Sequence, residues 1–191
     1  TTLHTFTAAD GSSPNSLIQG LDGNLYGVTS GDYTHNRGTF FKITTTGALT
    51  TLHTVTGVDG RYPDALLQTP DGNCDGVTGE DGNDAGTIFR ISAGGNLTTL
   101  HSFAGPDGED PDVLIRAADG NFYGTTYYGG PNNYGTVFRI APDGAFTQLH
   151  QFTGSDGKWP IAMLQGKNGG FYGIAHEGGV DFVEDFEGGS G

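Results

Sequence analysis

Long apolar runs, helical periodicity, positive charge and sulfur are all scarce in this 191-residue chain. No run of about 18 apolar residues is present, so the sequence offers no membrane-spanning helix. No stretch repeats its apolar residues with the 3.6-residue period of an amphipathic helix. Lys and Arg number 8 against 22 Asp and Glu, a formal charge of −14. Such a surface repels phosphate backbones and anionic headgroups, which argues against nucleic acid and membrane insertion. The single cysteine, Cys74, cannot form an internal disulfide, and cysteine usage therefore leaves the compartment open. The sequence starts at Thr1 without a secretion signal and reads as a processed chain or an excerpt.

What is plentiful is glycine, 35 residues of it, and it is placed with a period. Leu3-His4-Thr5-Phe6 recurs as Leu52-His53-Thr54-Val55, Leu100-His101-Ser102-Phe103 and Leu149-His150-Gln151-Phe152. An Asp-Gly turn and a proline follow each copy, at Asp10-Gly11 and Pro14, Asp59-Gly60 and Pro63, Asp107-Gly108 and Pro111, and Asp156-Gly157 and Pro160. A short apolar run leads to the hairpin signal Asp22-Gly23-Asn24, Asp71-Gly72-Asn73 or Asp119-Gly120-Asn121, where glycine suits a tight two-residue turn. The third run is Leu25-Tyr26-Gly27-Val28-Thr29 and its copies. A variable loop then precedes Gly38-Thr39-Phe40-Phe41-Lys42-Ile43, Gly86-Thr87-Ile88-Phe89-Arg90-Ile91 or Gly135-Thr136-Val137-Phe138-Arg139-Ile140.

Four strands in about 48 residues is the content of one propeller blade, and one blade alone cannot bury both faces. The expected fold is an all-β propeller of four four-stranded repeats, at about 1–49, 50–97, 98–146 and 147–187, forming a single domain 1–187 with a flexible Gly/Ser tail at 188–191. The chain opens on a Leu-His run and stops before a fifth, so Leu3 to Phe6 is the expected clasp that closes the ring on the last repeat. The alternative is half of a larger propeller. Repeat 4 is irregular: after His176-Glu177-Gly178-Gly179, the stretch Val180-Asp181-Phe182-Val183-Glu184-Asp185-Phe186 stands where Gly-Thr-Val-Phe-Arg-Ile is expected, and Phe182-Val183 or Phe186 remain to supply a strand.

The ordered motifs Asp-Gly-Asn-Leu/Phe-Tyr-Gly, Gly-Thr-Val-Phe-Arg/Lys-Ile and Leu-His-Thr/Ser-Phe resemble the Gloeo/Verruco extracellular repeat over residues 1 to 175. The pattern departs at Cys74-Asp75, where Tyr is expected, and after Gly179. The resemblance implies an extracellular or cell-surface bacterial array of propeller type and brings no catalytic residues. A weaker likeness, in period and in Gly-x-Leu-Tyr-x-Val, is to tachylectin-type lectin propellers. The acidic, Thr-, Asn- and Gly-rich, Lys-poor composition fits the same location.

Three residue sets invite a chemical reading. His4, His53, His101 and His150 suggest a ring of metal ligands, but ligands must converge within about 2.1 Å of one ion. Hydrogen bonding of each imidazole within its own repeat is the simpler expectation. Asp107, Asp110 and Asp112, like Asp59 and Asp64, crowd the turns around the repeat prolines and are candidate calcium ligands without EF-hand spacing; no other cofactor is expected. The aromatics are the stronger set. Tyr62 and Trp159 precede repeat prolines where Ser13 and Asp110 stand in the other repeats, and Tyr33, Tyr127, Tyr128 and Tyr134 lie in variable loops. Rings beside Asn, Asp and Gly on loops are what sugar stacking requires. No nucleophile elbow, His-Glu-x-x-His or phosphate loop is present. The expectation is a secreted, non-catalytic module binding a glycan or other cell-surface polymer. Self-association into a filament through the N-terminal strand, and a glycan-active enzyme, are the alternatives.

Overall fold

The computed structural model describes residues 2–31, 38–56, 59–80 and 85–178. Every regular element is a β-strand, and the chain divides into two compact units, Thr1–Ser102 and Phe103–Gly191, each holding two repeats. The first unit contains the sheet β1 (Pro14–Gln19), β2 (Leu25–Thr29), β3 (Thr39–Ile43), β4 (Leu49–Thr54) and the sheet β5 (Arg61–Gln68), β6 (Cys74–Glu80), β7 (Thr87–Ile91), β8 (Leu97–Ser102). The second contains β9 (Glu109–Arg116), β10 (Phe122–Tyr128), β11 (Thr136–Ile140), β12 (Phe146–Gln151) and the hairpin β13 (Lys158–Gln165), β14 (Phe171–Glu177). All ladders are antiparallel, with neighbours in chain order. These are propeller blades, phased so that the Leu-His runs at Leu52, Leu100 and Leu149 each form the fourth strand of a sheet.

The periodic residues each have a structural use. At Gly27, Gly76 and Gly124 a β-carbon would collide with the ring of Phe41, Phe89 or Phe138 across the ladder, so only glycine lets that ring lie flat on the neighbouring strand. Thr29 and Thr39, Thr78 and Thr87, and Thr126 and Thr136 pair their hydroxyls at 2.8 to 2.9 Å in the buried interior. The hairpin loops are one residue longer than expected. Gly20 donates to the Asn24 carbonyl around Leu21-Asp22-Gly23, with Gly23 at φ 80°, the three-residue form with a left-handed glycine.

Cys74-Asp75, the departure from the pattern, is accommodated by a charge pair. Asp75 is 1% exposed, and its carboxylate accepts from Arg90 Nε at 2.7 Å and Nη2 at 2.8 Å. In the first and third repeats the corresponding Tyr26 and Tyr123 instead donate their hydroxyls to Asp22 and Asp119. Burial, reinforced by the nearby Asp75, Asp22 and Asp71 carboxylates, pushes the Cys74 thiol up to about 12.

The histidines act as struts. His4 Nε2 lies 2.7 Å from Asp10 Oδ2, His53 Nε2 2.5 Å from Asp59 Oδ2 and His150 Nε2 2.9 Å from Asp156 Oδ2, each tying a Leu-His run to the following Asp-Gly turn. The second carboxylate oxygen accepts the N–H and hydroxyl of Thr7, Thr56 or Thr153. These three histidines are thus engaged within their own repeats.

The expected clasp is not a laddered strand. Leu3 to Phe6 belongs to none of the four sheets. Phe6 instead packs edge-on against Phe41 at 5.0 Å, the contact that Phe103 makes with Phe138 at 5.3 Å. The physical reason lies in pairing. Every other Leu-His run is hydrogen-bonded to a Gly-Thr-x-Phe-x-Ile strand, and that motif does not recur in the sequence after Gly178. The stretch proposed from sequence to replace it, and the 188–191 tail, lie outside the described residues.

Two outcomes are expected. The Thr7 N–H chiefly lowers the Asp10 carboxyl below its ordinary value of 3.8. Burial pushes Asp59 and Asp156 up, but the Thr and His hydrogen bonds more than offset it and hold both low. A carboxyl depressed in the folded state stabilises fully above its unfolded value and progressively less as pH falls through the folded one. The melting temperature should therefore be insensitive to these groups at neutral pH and fall below about pH 4. Cys74 should resist a thiol reagent at pH 8 in the native state and react on denaturation.

Candidate functional site

The residue before each repeat proline is held in the left-handed region: Ser13 at φ 54°, Tyr62 at 50°, Asp110 at 56° and Trp159 at 55°. That conformation costs roughly 1–2 kcal/mol for a residue with a β-carbon, and the surroundings explain why it persists. The preceding Asp-Gly glycine, Gly60 or Gly108, sits against the paired threonines, where a β-carbon would clash with Thr78 or Thr126. The proline that follows lies against the glycine opening the previous repeat's fourth run, Pro63 on Gly38 and Pro160 on Gly135. A bulge then restores the ladder, between Pro63 and Leu66 and between Pro160 and Ala162. The backbone is constant while its side chain is Ser, Tyr, Asp or Trp.

In the second unit this frame carries Trp159 to the variable loop of repeat 3, where it joins the three tyrosines named there from sequence. Trp159 lies nearly parallel to Tyr127, centroids 6.2 Å apart at 12°, and Tyr134 meets it edge-on at 6.4 Å. Tyr128 packs edge-on against Tyr127 at 4.7 Å. The Trp159 N–H donates to the Tyr134 carbonyl at 2.8 Å, and its indole Nε1 donates to the Asn133 carbonyl at 3.3 Å. Trp159 is thereby the pillar of the cluster, half-buried with its indole donor engaged. The outward ring is Tyr128, 39% exposed, flanked on the loop by exposed Pro131, Asn132 and Asn133.

Two further residues complete the patch, and sequence reasoning missed both. Lys158 Nζ lies 4.9 Å from the Tyr134 centroid and 5.7 Å from that of Trp159, within cation–π range. It also stands 3.8 Å from Glu177 Oε2. His176, exposed on β14, is 6.3 Å from Trp159. Lys158 was legible as the neighbour of Trp159; His176 had no signal, because its position depends on the β13–β14 register. The result is a flat apolar surface edged by amides, an imidazole and one ammonium group, suited to stacking a pyranose face and hydrogen-bonding its hydroxyls.

In the first unit Tyr62 has the same backbone and is half-buried. Tyr33 lies outside the described residues. Asp107 Oδ1 accepts the Ala104 N–H, its carbonyl accepts the Thr136 hydroxyl, and Asp110 and Asp112 lie on β9. Among the described residues no group of three or more His, Cys, Asp or Glu side chains is arranged to hold a metal ion.

Replacing Trp159 separates its two roles. Trp159→Gly relieves the left-handed strain that Trp159→Ala retains, so the glycine variant should be the more stable by about 1 kcal/mol in urea unfolding. Equal stabilities would show that the left-handed backbone is not imposed.

Solved structures similar to this chain are β-propeller-like. Virginiamycin B lyase from Staphylococcus aureus superposes with a TM-score of 0.61 at 21% identity over 83% of this chain and 47% of its own. A Thermus thermophilus protein assigned as an oxidoreductase (glucose dehydrogenase) gives 0.62 at 16% identity over 91% of this chain and 61% of its own. PorZ, a bacterial surface component of the type-IX secretion system of Porphyromonas gingivalis, gives 0.55 at 14% over 87% and 23%. The chain spans less than two thirds of the length of either of the first two, and these likenesses concern the fold. No curated protein matches it. The motifs placed above on the blades match the family pattern over residues 1–183, and the chain belongs to the Gloeobacter/Verrucomicrobia repeat family.

Proposed function

We propose that this chain is a non-catalytic propeller module that binds carbohydrate at the cell surface through the aromatic patch of its second unit. One observation carries the reading: Tyr127, Tyr128 and Tyr134 from one repeat and Trp159 from the next form a single surface cluster on a strained but constant backbone. Backbone strain held by its surroundings accumulates at functional positions. A core role alone would not require Ser, Tyr, Asp and Trp to alternate on one frame. Exposed Asn132, Asn133 and His176 supply hydrogen-bonding groups at its edge.

The absence of catalysis in this reading rests on the sequence, which holds no recognisable nucleophile or metal motif. The lyase and dehydrogenase named among the similar structures share the fold at low identity, and a fold does not carry an activity with it. The extracellular assignment follows the repeat resemblance and the acidic, lysine-poor composition.

A glycan array probed with the full chain should show retention on at least one sugar class. Because Tyr128 is exposed and Trp159 is a packing element, Tyr128→Ala is the cleaner variant. It should weaken binding about tenfold with an unchanged melting temperature. A flat array with folded protein, or full retention by Tyr128→Ala, would overturn the proposal.

A further inference from the structure

The turn between β13 and β14 keeps the shape of its three counterparts and changes their chemistry. Asp22-Gly23-Asn24, Asp71-Gly72-Asn73 and Asp119-Gly120-Asn121 are matched in repeat 4 by Asn168-Gly169-Gly170. Gly166 donates to the Gly170 carbonyl at 2.8 Å, as Gly20 does to that of Asn24, and Gly169, at φ 88°, donates to the Gly166 carbonyl at 3.0 Å. A β-carbon on Gly166 would strike the Tyr172 ring and Asn168 Oδ1, just as one on Gly20 would strike the Tyr26 ring and meet Asp22 Oδ1. Asn168 Oδ1 accepts the Gly170 N–H at 3.3 Å, where Asp22, Asp71 and Asp119 accept the N–H two residues on at 3.0 to 3.2 Å. An amide thus occupies a place that the other repeats give to a carboxylate.

That amide is followed by glycine, and no other asparagine of the chain is. Gly169 has no side chain to keep its backbone nitrogen away from the Asn168 carboxamide carbon, Cγ. Two contacts prepare the amide for attack. The Gly170 N–H points at Oδ1, where negative charge gathers when a nitrogen adds to Cγ. At the other end Nδ2 donates to the Tyr172 hydroxyl at 2.8 Å. Once Cγ is tetrahedral, Nδ2 is an amine; the hydrogen bond then reverses, and the phenol hands the departing nitrogen a proton. The hydrogen bond from Gly169 to the Gly166 carbonyl is the brake. It has to open before the nitrogen can attack, and the reaction is accordingly slow.

We propose that Asn168 is a site of spontaneous deamidation in the folded chain, assisted by Gly170 and Tyr172, and that the product is an aspartate that completes the repeat motif. The Gly169 nitrogen gives its proton to solvent base and bonds to Cγ, the Cγ–Nδ2 bond breaks, and ammonia leaves a five-membered imide. Tyr172 recovers from solvent the proton it hands over. Water then cleaves the new bond between the Gly169 nitrogen and Cγ, which restores the main chain and leaves a carboxylate. Cleavage at the other imide carbonyl would insert a methylene into a loop whose ends are tied by the hydrogen bond from Gly166 to Gly170. The carboxylate finds its partners in place. Tyr172 turns its hydroxyl toward it, as Tyr26 and Tyr123 donate to Asp22 and Asp119 at 3.0 and 2.9 Å, and a hydrogen bond to a charged acceptor is stronger than one to a neutral amide.

Incubation of the full chain in mildly alkaline buffer, followed by peptide mass spectrometry, tests this. The folded chain should gain the mass of an amide-to-acid exchange at Asn168 before any other asparagine, and a more acidic band should appear on isoelectric focusing at the same rate. Tyr172→Phe should slow the reaction of the folded chain about tenfold and leave its rate in concentrated urea unchanged, which separates the phenol's role from the intrinsic lability of the pair. Asn168→Asp should melt no lower than the freshly prepared wild type. An Asn168 that stays intact in the folded chain while the unfolded chain reacts would overturn the proposal. So would a folded Tyr172→Phe chain that reacts as fast as the wild type, or a lowered melting temperature in Asn168→Asp.

Discussion

The blades depend on one close approach: a phenylalanine ring lying on a glycine of the adjacent strand. Removing the glycine side chain lets Phe41, Phe89 and Phe138 reach across their ladders, and the residue that ends a Leu-His run, Phe6 or Phe103, then packs on the same ring. At Gly173, over which no described residue lays a ring, the neighbouring Ile174 and Tyr172 are exposed.

Around this contact the polar periodic residues do a second job, that of holding the turn that passes from one blade to the next. Histidine reaches the following aspartate, the aspartate caps the N–H three residues before it, and the glycine after it slips beneath the threonine pair. The chain then has to turn into the next inner strand within a few residues, and it does so through a left-handed residue pinned by a proline. That geometry leaves one position per repeat whose side chain the core does not dictate. In the second unit it is occupied by Trp159 and surrounded by tyrosines.

Comparison of the repeats shows how such a frame absorbs variation. Tyr26 and Tyr123 are replaced by Asp75, and the Tyr to Asp hydrogen bond becomes a buried Asp75 to Arg90 pair of the same reach. Val28 becomes Thr125 with little change in volume, at the expense of an unmatched hydroxyl. In the first case a neighbour within the same blade takes up the difference.

The sequence alone determined the period, the strand content and the glycine and proline positions, because these follow from local backbone geometry and recur at fixed spacing. It also named the aromatics that meet, since loop rings unexplained by the blade pattern stand out against the repeats. Three things were decided only by tertiary structure. Whether Leu3 to Phe6 pairs depends on a partner strand distant in sequence, and here that segment packs through its aromatic ring. Which ring faces outward was not legible, because Trp159 and Tyr128 look alike as letters; the β13–β14 register and the loop carbonyls make the first a pillar and leave the second exposed. The contribution of His176 likewise arises only from the β13–β14 register, a proximity that no local spacing encodes.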